Sequence, residues 1–366
     1  MKKYILLPIA ALCLAACSTD DTAEQPVVGQ TPICIKAVLD DGNTTRAYTS
    51  SAFRNNKIVY VWADMIDIST NAKTEYFNAW ELRATNTAGQ LQANSAVKFY
   101  PATNLLDMYA MAGTFSGYSL NAYNGLPTGG IYHTVSDNQT GEAAYYNSDL
   151  LYAQLKSQQP VEDETGVTMR FYHLLSKVRV VLIPGTGNTS INAYNNQVLR
   201  NATVKLLNVH TRVKFSPSKN VSMEDFATDP SVRAGMITLA PKNDNDAVDY
   251  NPQRDVTLAT GVAAFDTNND VTDDSYGDAI IVPQTFTVTP ENEGKFIQVT
   301  LTDPVTNQTH DTYFRFANNF TFESGKQYQF ILTLDRIGDT YSVTPTISSW
   351  TSEVENRAVD LKQPTN

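Results

Sequence analysis

The 366-residue chain contains three cysteines and four histidines. His133, His173, His210 and His310 stand far apart, none has a partner at metal-ligand spacing, and no His-Glu-x-x-His occurs. The sequence therefore offers no metal centre and calls for no cofactor. No nucleophile–base pair or paired-carboxylate arrangement can be picked out, which argues against an enzyme. Ser324-Gly325-Lys326-Gln327 is half of a phosphate loop. It lacks the earlier glycine and the following Ser or Thr and lies between strand signals, so it reads as a turn. Asp266, Asn268 and Asp270 stand at calcium-loop spacing, but Val271 replaces the required glycine and no Glu ends the loop. Residues 266–278 thus read as a solvated loop with at most a weak calcium site, and Asn243-Asp244-Asn245-Asp246 reads the same way. Basic residues are in the minority, 27 against 38 acidic, for a formal net charge of −11. An acidic surface repels nucleic acid and anionic lipid, so no nucleic-acid partner is expected. Beyond the N-terminus no apolar stretch is long enough to cross a bilayer, and no long segment shows a helical period with caps.

The N-terminus is the informative exception. Lys2 and Lys3 form a positive region, residues 4–14 are apolar, and Leu14-Ala15-Ala16 precede Cys17. The run is too short for a permanent membrane helix and has the layout of an export signal. Leu-Ala-Ala-Cys resembles the lipobox of bacterial lipoproteins, which implies a signal peptide over 1–16 and lipidation at Cys17. Ser18-Thr19-Asp20-Asp21 follows at once, an acidic stretch that resembles the export signal of surface lipoproteins in gut and oral anaerobes. Buried acyl chains contribute about 0.8 kcal/mol per CH₂, so several of them hold a protein firmly to a membrane. Loss of 1–16 removes Lys2 and Lys3 and no acid, and takes the balance from −11 to −13. Cys13 leaves with the signal and Cys17 is acylated. Cys34 then cannot form an intramolecular disulfide, and core packing has to stabilise the exported protein.

Charged residues make up only 18% of the chain, and Thr, Asn, Tyr and Val are abundant, as suits a β-rich extracellular protein. Residues 17–31 read as a polar tether with Pro26 near its end. Ile33, Ile35, Ala37 and Leu39 then alternate with Cys34, Lys36 and Val38, and Asp40-Asp41-Gly42-Asn43 ends that strand as a turn. Residues 57–63 are apolar on both faces, as in a central strand. Residues 97–100, 108–112 and 150–154 are further strand candidates. A polar stretch over 156–166 marks the expected division into a domain over 32–160 and a second over 161–366. Beyond it alternation is cleaner: Val167, Met169 and Phe171; Val178, Val180 and Leu182; Val209, Val213 and Phe215; Ile297, Val299 and Leu301; Tyr328, Phe330, Leu332 and Leu334. Many short alternating strands with turn-rich linkers indicate an all-β protein of antiparallel sandwiches. Trp62, Trp80 and Trp350 and the many tyrosines could stack on sugar rings, which leaves a surface glycan-binding lipoprotein as the alternative function. Trp62 and Trp80 lie in or beside apolar strand signals, however, which favours core packing.

Four segments together resemble the fimbrillin family, the fimbrial (pilus) subunits of anaerobic Gram-negative gut and oral bacteria. They are Thr45-Arg46-Ala47 followed by Lys57-Ile58-Val59-Tyr60-Val61-Trp62; Asp149-Leu150-Leu151-Tyr152-Ala153; Phe171-Tyr172-His173-Leu174-Leu175-Ser176-Lys177-Val178; and Ile281-Val282-Pro283-Gln284 continuing through Phe322-Glu323-Ser324-Gly325-Lys326-Gln327-Tyr328 to Ile347-Ser348-Ser349-Trp350. The resemblance implies two tandem transthyretin-like (Greek-key) β-sandwich domains. It also implies export as an outer-membrane lipoprotein and cleavage after an arginine, with loss of the first strand. A strand from another fimbrial subunit then fills the groove. The matching position here is Arg46, with Ala47 as the new N-terminus and Arg54 as the nearest competitor. Implied partners are other fimbrial subunits, the outer membrane through lipid on Cys17, and a host or bacterial surface ligand. Four inward apolar residues at about 1.5–3 kcal/mol each put the lost strand at about 6–12 kcal/mol, an upper bound. The donor strand is less legible. Tyr341, Val343 and Ile347 alternate but are interrupted by Pro345, and beyond Trp350 only Val354, Ala358, Val359 and Leu361 are apolar. Arg46 and this C-terminal tail favour a stalk subunit over a tip.

Overall fold

The computed structural model describes residues 31–39, 56–85, 89–115, 120, 125–161, 166–184, 202–240, 251, 253–258, 277–302, 306–334, 340–342 and 346–349. The first part of the chain supplies β1 (Ile35–Leu39), β2 (Ile58–Ile66), β3 (Lys73–Ala84), β4 (Gln90–Ala93), β5 (Leu105–Ala112), β6 (Ile131–Thr134), helix α1 (Glu142–Asn147), β7 (Leu151–Gln158) and β8 (Val167–His173). Seven of these strands close on themselves in the order β1-β4-β3-β2-β5-β7-β8. Alternation puts Val59, Val61, Leu82, Met108, Ala110, Met169 and Phe171 inside this barrel, with Ile33, Ile35 and Ala37 of the first strand. The central strand expected at 57–63 is β2, paired with β3 on one side and β5 on the other. Its second apolar face carries Trp62 into another core.

The rest of the chain supplies β9 (Ser176–Pro184), β10 (Thr203–His210), β11 (Arg212–Phe215), helices α2 (Met223–Thr228) and α3 (Pro230–Ala234), β12 (Ile237–Leu239), β13 (Gln253–Thr257), β14 (Gly277–Ile281), β15 (Gln284–Phe286), β16 (Lys295–Thr302), β17 (Thr309–Arg315), β18 (Phe320–Phe322), β19 (Lys326–Leu334), β20 (Thr340–Ser342) and β21 (Thr346–Ser349). A five-stranded sheet, β13-β10-β16-β17-β20, faces a four-stranded sheet, β14-β9-β19-β21. The alternating sets Val178/Val180/Leu182, Ile297/Val299/Leu301 and Tyr328/Phe330/Leu332 meet in the core between them. This is the two-layer packing that a period of two produces when one face of each sheet is apolar. The strands β20 and β21 are the outermost members of their sheets, in keeping with the edge position that Pro345 suggests.

A third core joins the two parts. Trp62, Tyr109, Tyr152 and Tyr172 from the outside of the barrel pack with Val213, Phe215, Phe226, Met236, Ile280 and Val282. The small sheet β12-β11-β6 crosses the same junction, since β6 and β11 come from opposite sides of it. Charge reinforces this junction: Lys219 Nζ lies 2.8 and 2.6 Å from the two carboxylate oxygens of Asp64, and Gln154 Nε2 donates to the Ser218 carbonyl at 2.6 Å.

Two sequence expectations differ from the structure. Residues 97–100 form no strand: Phe99 makes a single bridge with Pro32, and Pro101 cannot carry a ladder forward. And β8, which the division at 160/161 assigns to the second domain, pairs with β1 and β7 of the barrel. Residues 156–158 of the polar stretch before it belong to β7, and partners distant in sequence decide where β8 belongs.

Candidate functional site

Among the described residues, the first strand of the barrel, β1, is held in its seat entirely by chain remote from it. On one side β1 runs parallel to β8 over five positions, from Ile35↔Val167 to Leu39↔Phe171. On the other it pairs antiparallel with β4 at Ile35↔Leu91 and Lys36↔Gln90. Just before it, the Ile33 N–H donates to the Lys98 carbonyl at 2.8 Å and the Tyr100 N–H donates to the Thr31 carbonyl at 2.9 Å. The stretch misread as a strand at 97–100 is thus part of this seat. Ile33, Ile35 and Ala37 are buried, and Leu39 packs partly buried against the same cluster. The inward set is the one read from the alternation. Ala37 is small and Leu39 incompletely covered, so the two isoleucines carry most of the burial, about 3–6 kcal/mol.

Two glycines shape the seat. Gly89 has φ +81°, and a Cβ there would lie 2.2 Å from the Ala37 carbonyl oxygen. Gly166 has φ +65°, and a Cβ there would lie 2.1 Å from the Cys34 carbonyl oxygen. The main chain of β1 is gripped at both points, with the Ala37 N–H donating to the Gly89 carbonyl at 2.8 Å and the Val167 N–H to the Cys34 carbonyl at 2.9 Å. Sequence reading missed these glycines as site residues, although each follows a polar, turn-forming stretch.

The chain re-enters the barrel at Lys57, whose buried ammonium donates to the carbonyls of Tyr146 and, at 3.2 Å, Asp149. The Asp149 carboxylate lies 3.0 Å from His173 Nδ1. Burial alone would raise the Asp149 carboxyl, but His173 and then Lys57 hold it below its ordinary value. His133 is wholly buried. Its Nδ1 accepts from the Thr114 N–H at 3.0 Å and its Nε2 faces the Ser148 carbonyl at 2.8 Å, a pattern that fits the neutral ring. Burial pushes its pKa down to about 4. His210 Nδ1 meets the Asn251 carbonyl at 2.8 Å. His133, His173 and His210 each join segments distant in sequence.

Cys17, Arg46, Ala47 and Arg54 lie outside the described residues, as do Trp350 and residues 266–276. Trp62 and Trp80 are 1% and 4% exposed and cannot stack on a sugar. Ser324-Gly325-Lys326-Gln327 is the turn from β18 to β19, with Gly325 at φ +67° and Ser324 Oγ donating to the Leu174 carbonyl at 2.7 Å. Among the described residues no group of three or more His, Cys, Asp or Glu could hold a metal ion.

Comparison with known proteins places this closed unit fused to a sandwich in a family. The sequence matches the fimbrillin-like family over residues 45–350, and the chain belongs to that family. No curated protein matches it. Among solved structures, a candidate cell adhesion protein from Bacteroides uniformis is 15% identical, with a TM-score of 0.51 over 89% of this chain and 100% of the other. One from Bacteroides ovatus is 17% identical, with a TM-score of 0.50 over 89% and 99%. At these identities they speak for the fold. The class is that of fimbrillin-like proteins.

Proposed function

We propose that this chain is a stalk subunit of a surface fimbrium, assembled by replacement of β1 with a strand from another subunit. It is exported as a lipoprotein acylated on Cys17. A surface protease then hydrolyses the Arg46–Ala47 bond, which frees residues 17–46 together with their lipid. The barrel is left with unpaired β4 and β8 edges and with the places of Ile33, Ile35 and Ala37 empty. A strand from the next subunit restores the ladders and fills those places with alternate side chains. Contacts of this head-to-tail kind do not close, so they produce a fibre. The donor comes from the chain beyond β19, where β20 and β21 sit at sheet edges. Arg46 and that C-terminal segment together favour a stalk position over a tip. On this reading the two units, divided between His173 and Ser176, are the tandem transthyretin-like domains that the family resemblance implies.

The observation that carries the reading is that β1 is paired only with β4 and β8, far from it in sequence. One cut between β1 and β2 severs its only covalent link to the barrel. The family match, beginning at residue 45, also leaves β1 outside it. The test is N-terminal sequencing of protein sheared from cells, together with the effect of limited trypsin on purified chain. The expected result is a start at Ala47 and SDS-resistant oligomers. A start at Cys17 with a monomer after trypsin would overturn it.

A further inference from the structure

Each sheet of the second unit has two outer strands, and one side of that sandwich is occupied from within the chain. Ser342 and Thr346 can lie no more than about 14 Å apart, little more than the ~10 Å between packed sheets. The edges β20 and β21 therefore share one side, and β13 and β14 the other. Onto that other side the first unit sends residues 137–139. Their backbone pairs with β13: the Gln139 N–H donates to the Thr257 carbonyl at 2.9 Å, and the Thr257 N–H donates to the Asp137 carbonyl at 2.9 Å. The Gln139 side chain pairs with β14: its Nε2 donates to the Ile280 carbonyl at 2.7 Å, and its Oε1 accepts from the Ile280 N–H at 2.8 Å. One short segment thus satisfies edge groups of both sheets, and Gln139 is 0% exposed.

A primary carboxamide offers the same donor and acceptor as a peptide group. It can stand in for one residue of a neighbouring strand where a whole strand does not fit. The fold does this elsewhere. Asn251 accepts from the Arg212 N–H and donates to the Arg212 carbonyl, both at 3.0 Å. Gln284 does the same for His210, at 2.8 and 3.1 Å. At position 139 the amide comes from the other unit, on a segment braced by Ser136 Oγ to the Asn138 carbonyl and by Thr140 Oγ1 to the Asn138 side chain.

We infer that residues 137–139 are a built-in edge plug, which occupies the β13/β14 side of the second unit and bars a strand from a second copy of this chain from pairing there. Unpaired sheet edges invite such pairing. Among the described residues, the first unit pairs with the sandwich on the β13/β14 side. This inference needs no cleavage at Arg46, so its test uses the uncleaved chain carrying Arg46→Ala, with β1 kept in place.

Gln139→Met keeps the length and volume of the side chain and removes both hydrogen bonds to Ile280, together with the one from Nε2 to the Ser136 carbonyl at 3.1 Å. The expected result is two changes together. In dilute monomer the Ile280 and Thr257 amides exchange with deuterium about tenfold faster or more, and in concentrated solution light scattering finds dimers or larger species. A folded variant that stays monomeric overturns the plug, whether or not exchange accelerates, because the segment would then only tether the units. Should Gln139→Met fail to fold, Gln139→Glu decides. A protonated carboxyl can still donate and accept, whereas an ionised one cannot donate, and burial raises its pKa. That chain is expected to be monomeric near pH 5, to associate at pH 8 and to reverse on titration, with the Gln139 parent monomeric at both. The same size at both values overturns the inference.

Discussion

A Cβ on residue 89 or 166 would stand about 2 Å from a carbonyl oxygen of the first strand's segment, so these glycines record how tightly that segment is gripped. Gly89→Ala or Gly166→Ala must strain a positive φ and also push the segment outward. We expect a cost of about 2–4 kcal/mol in the uncleaved chain, seen as a lowered melting temperature. Without β1 the carbonyl clash disappears and only the φ strain remains, about 1 kcal/mol. Equal losses in both forms would show that the glycines do not serve the seat. His133 makes a separate prediction. Its folded pKa of about 4 lies below the 6.5 of a free ring, so between these values the unfolded chain binds the extra proton. Stability then rises with pH through that window and is lost as pH falls from about 6.5 towards 4, by about 3 kcal/mol. His133→Gln should flatten that part of the melting-temperature profile. An unchanged slope would assign the acid sensitivity to other groups.

At the scale of elements, β1 contributes a ladder on each side and two large buried side chains. Ile35→Ala should cost about 2–5 kcal/mol in the uncleaved chain, seen as a lowered melting temperature; a chain beginning at Ala47 lacks this strand altogether. A peptide copying residues 31–39 should raise the melting temperature of that shortened chain, and the same peptide with Ile35→Asp should not. If neither peptide acts, the barrel re-closes by itself once β1 is gone. Most of these elements were legible in the sequence, because a strand with one wet and one dry face writes its period of two directly, as in Ile297/Val299/Leu301. Residues 97–100 misled because the segment carries two large apolar side chains, at Phe99 and Tyr100, while Pro101 blocks its extension. Gln139 left no trace, since a single side chain imitating a strand has no period. The glycines at 89 and 166 looked like ordinary turns, and only the folded chain shows which backbone passes above them.

The molecule as a whole is two units sharing a third core. Division at 160/161 was the natural reading of a polar stretch, yet β8, which follows it, pairs with β1 in the barrel. No local signal encodes such a choice. The shared core predicts one cooperative unfolding transition. Phe226, wholly buried between Tyr152 and Tyr172, is the place to break it. Phe226→Ala should cost about 3–5 kcal/mol, and calorimetry should then resolve two transitions where there was one. Lys219→Met leaves the Asp64 carboxylate, 8% exposed, without its cation. It should act in the same direction by about 1–3 kcal/mol. A single transition in both variants would mean that the junction does not set the cooperativity.

The parallel pairing of β1 with β8 also bears on how the chain folds. Ile35 sits beside Val167, a separation of 132 residues (167 minus 35). Contacts that close so long a loop form late, since their entropy is lost before any contact rewards it. At about 5–20 residues per second, the ribosome releases β1 well before the strand it will lie against. The segment made first is thus among the last to find its place. Folding in that order leaves the berth of β1 open until the other barrel strands have paired.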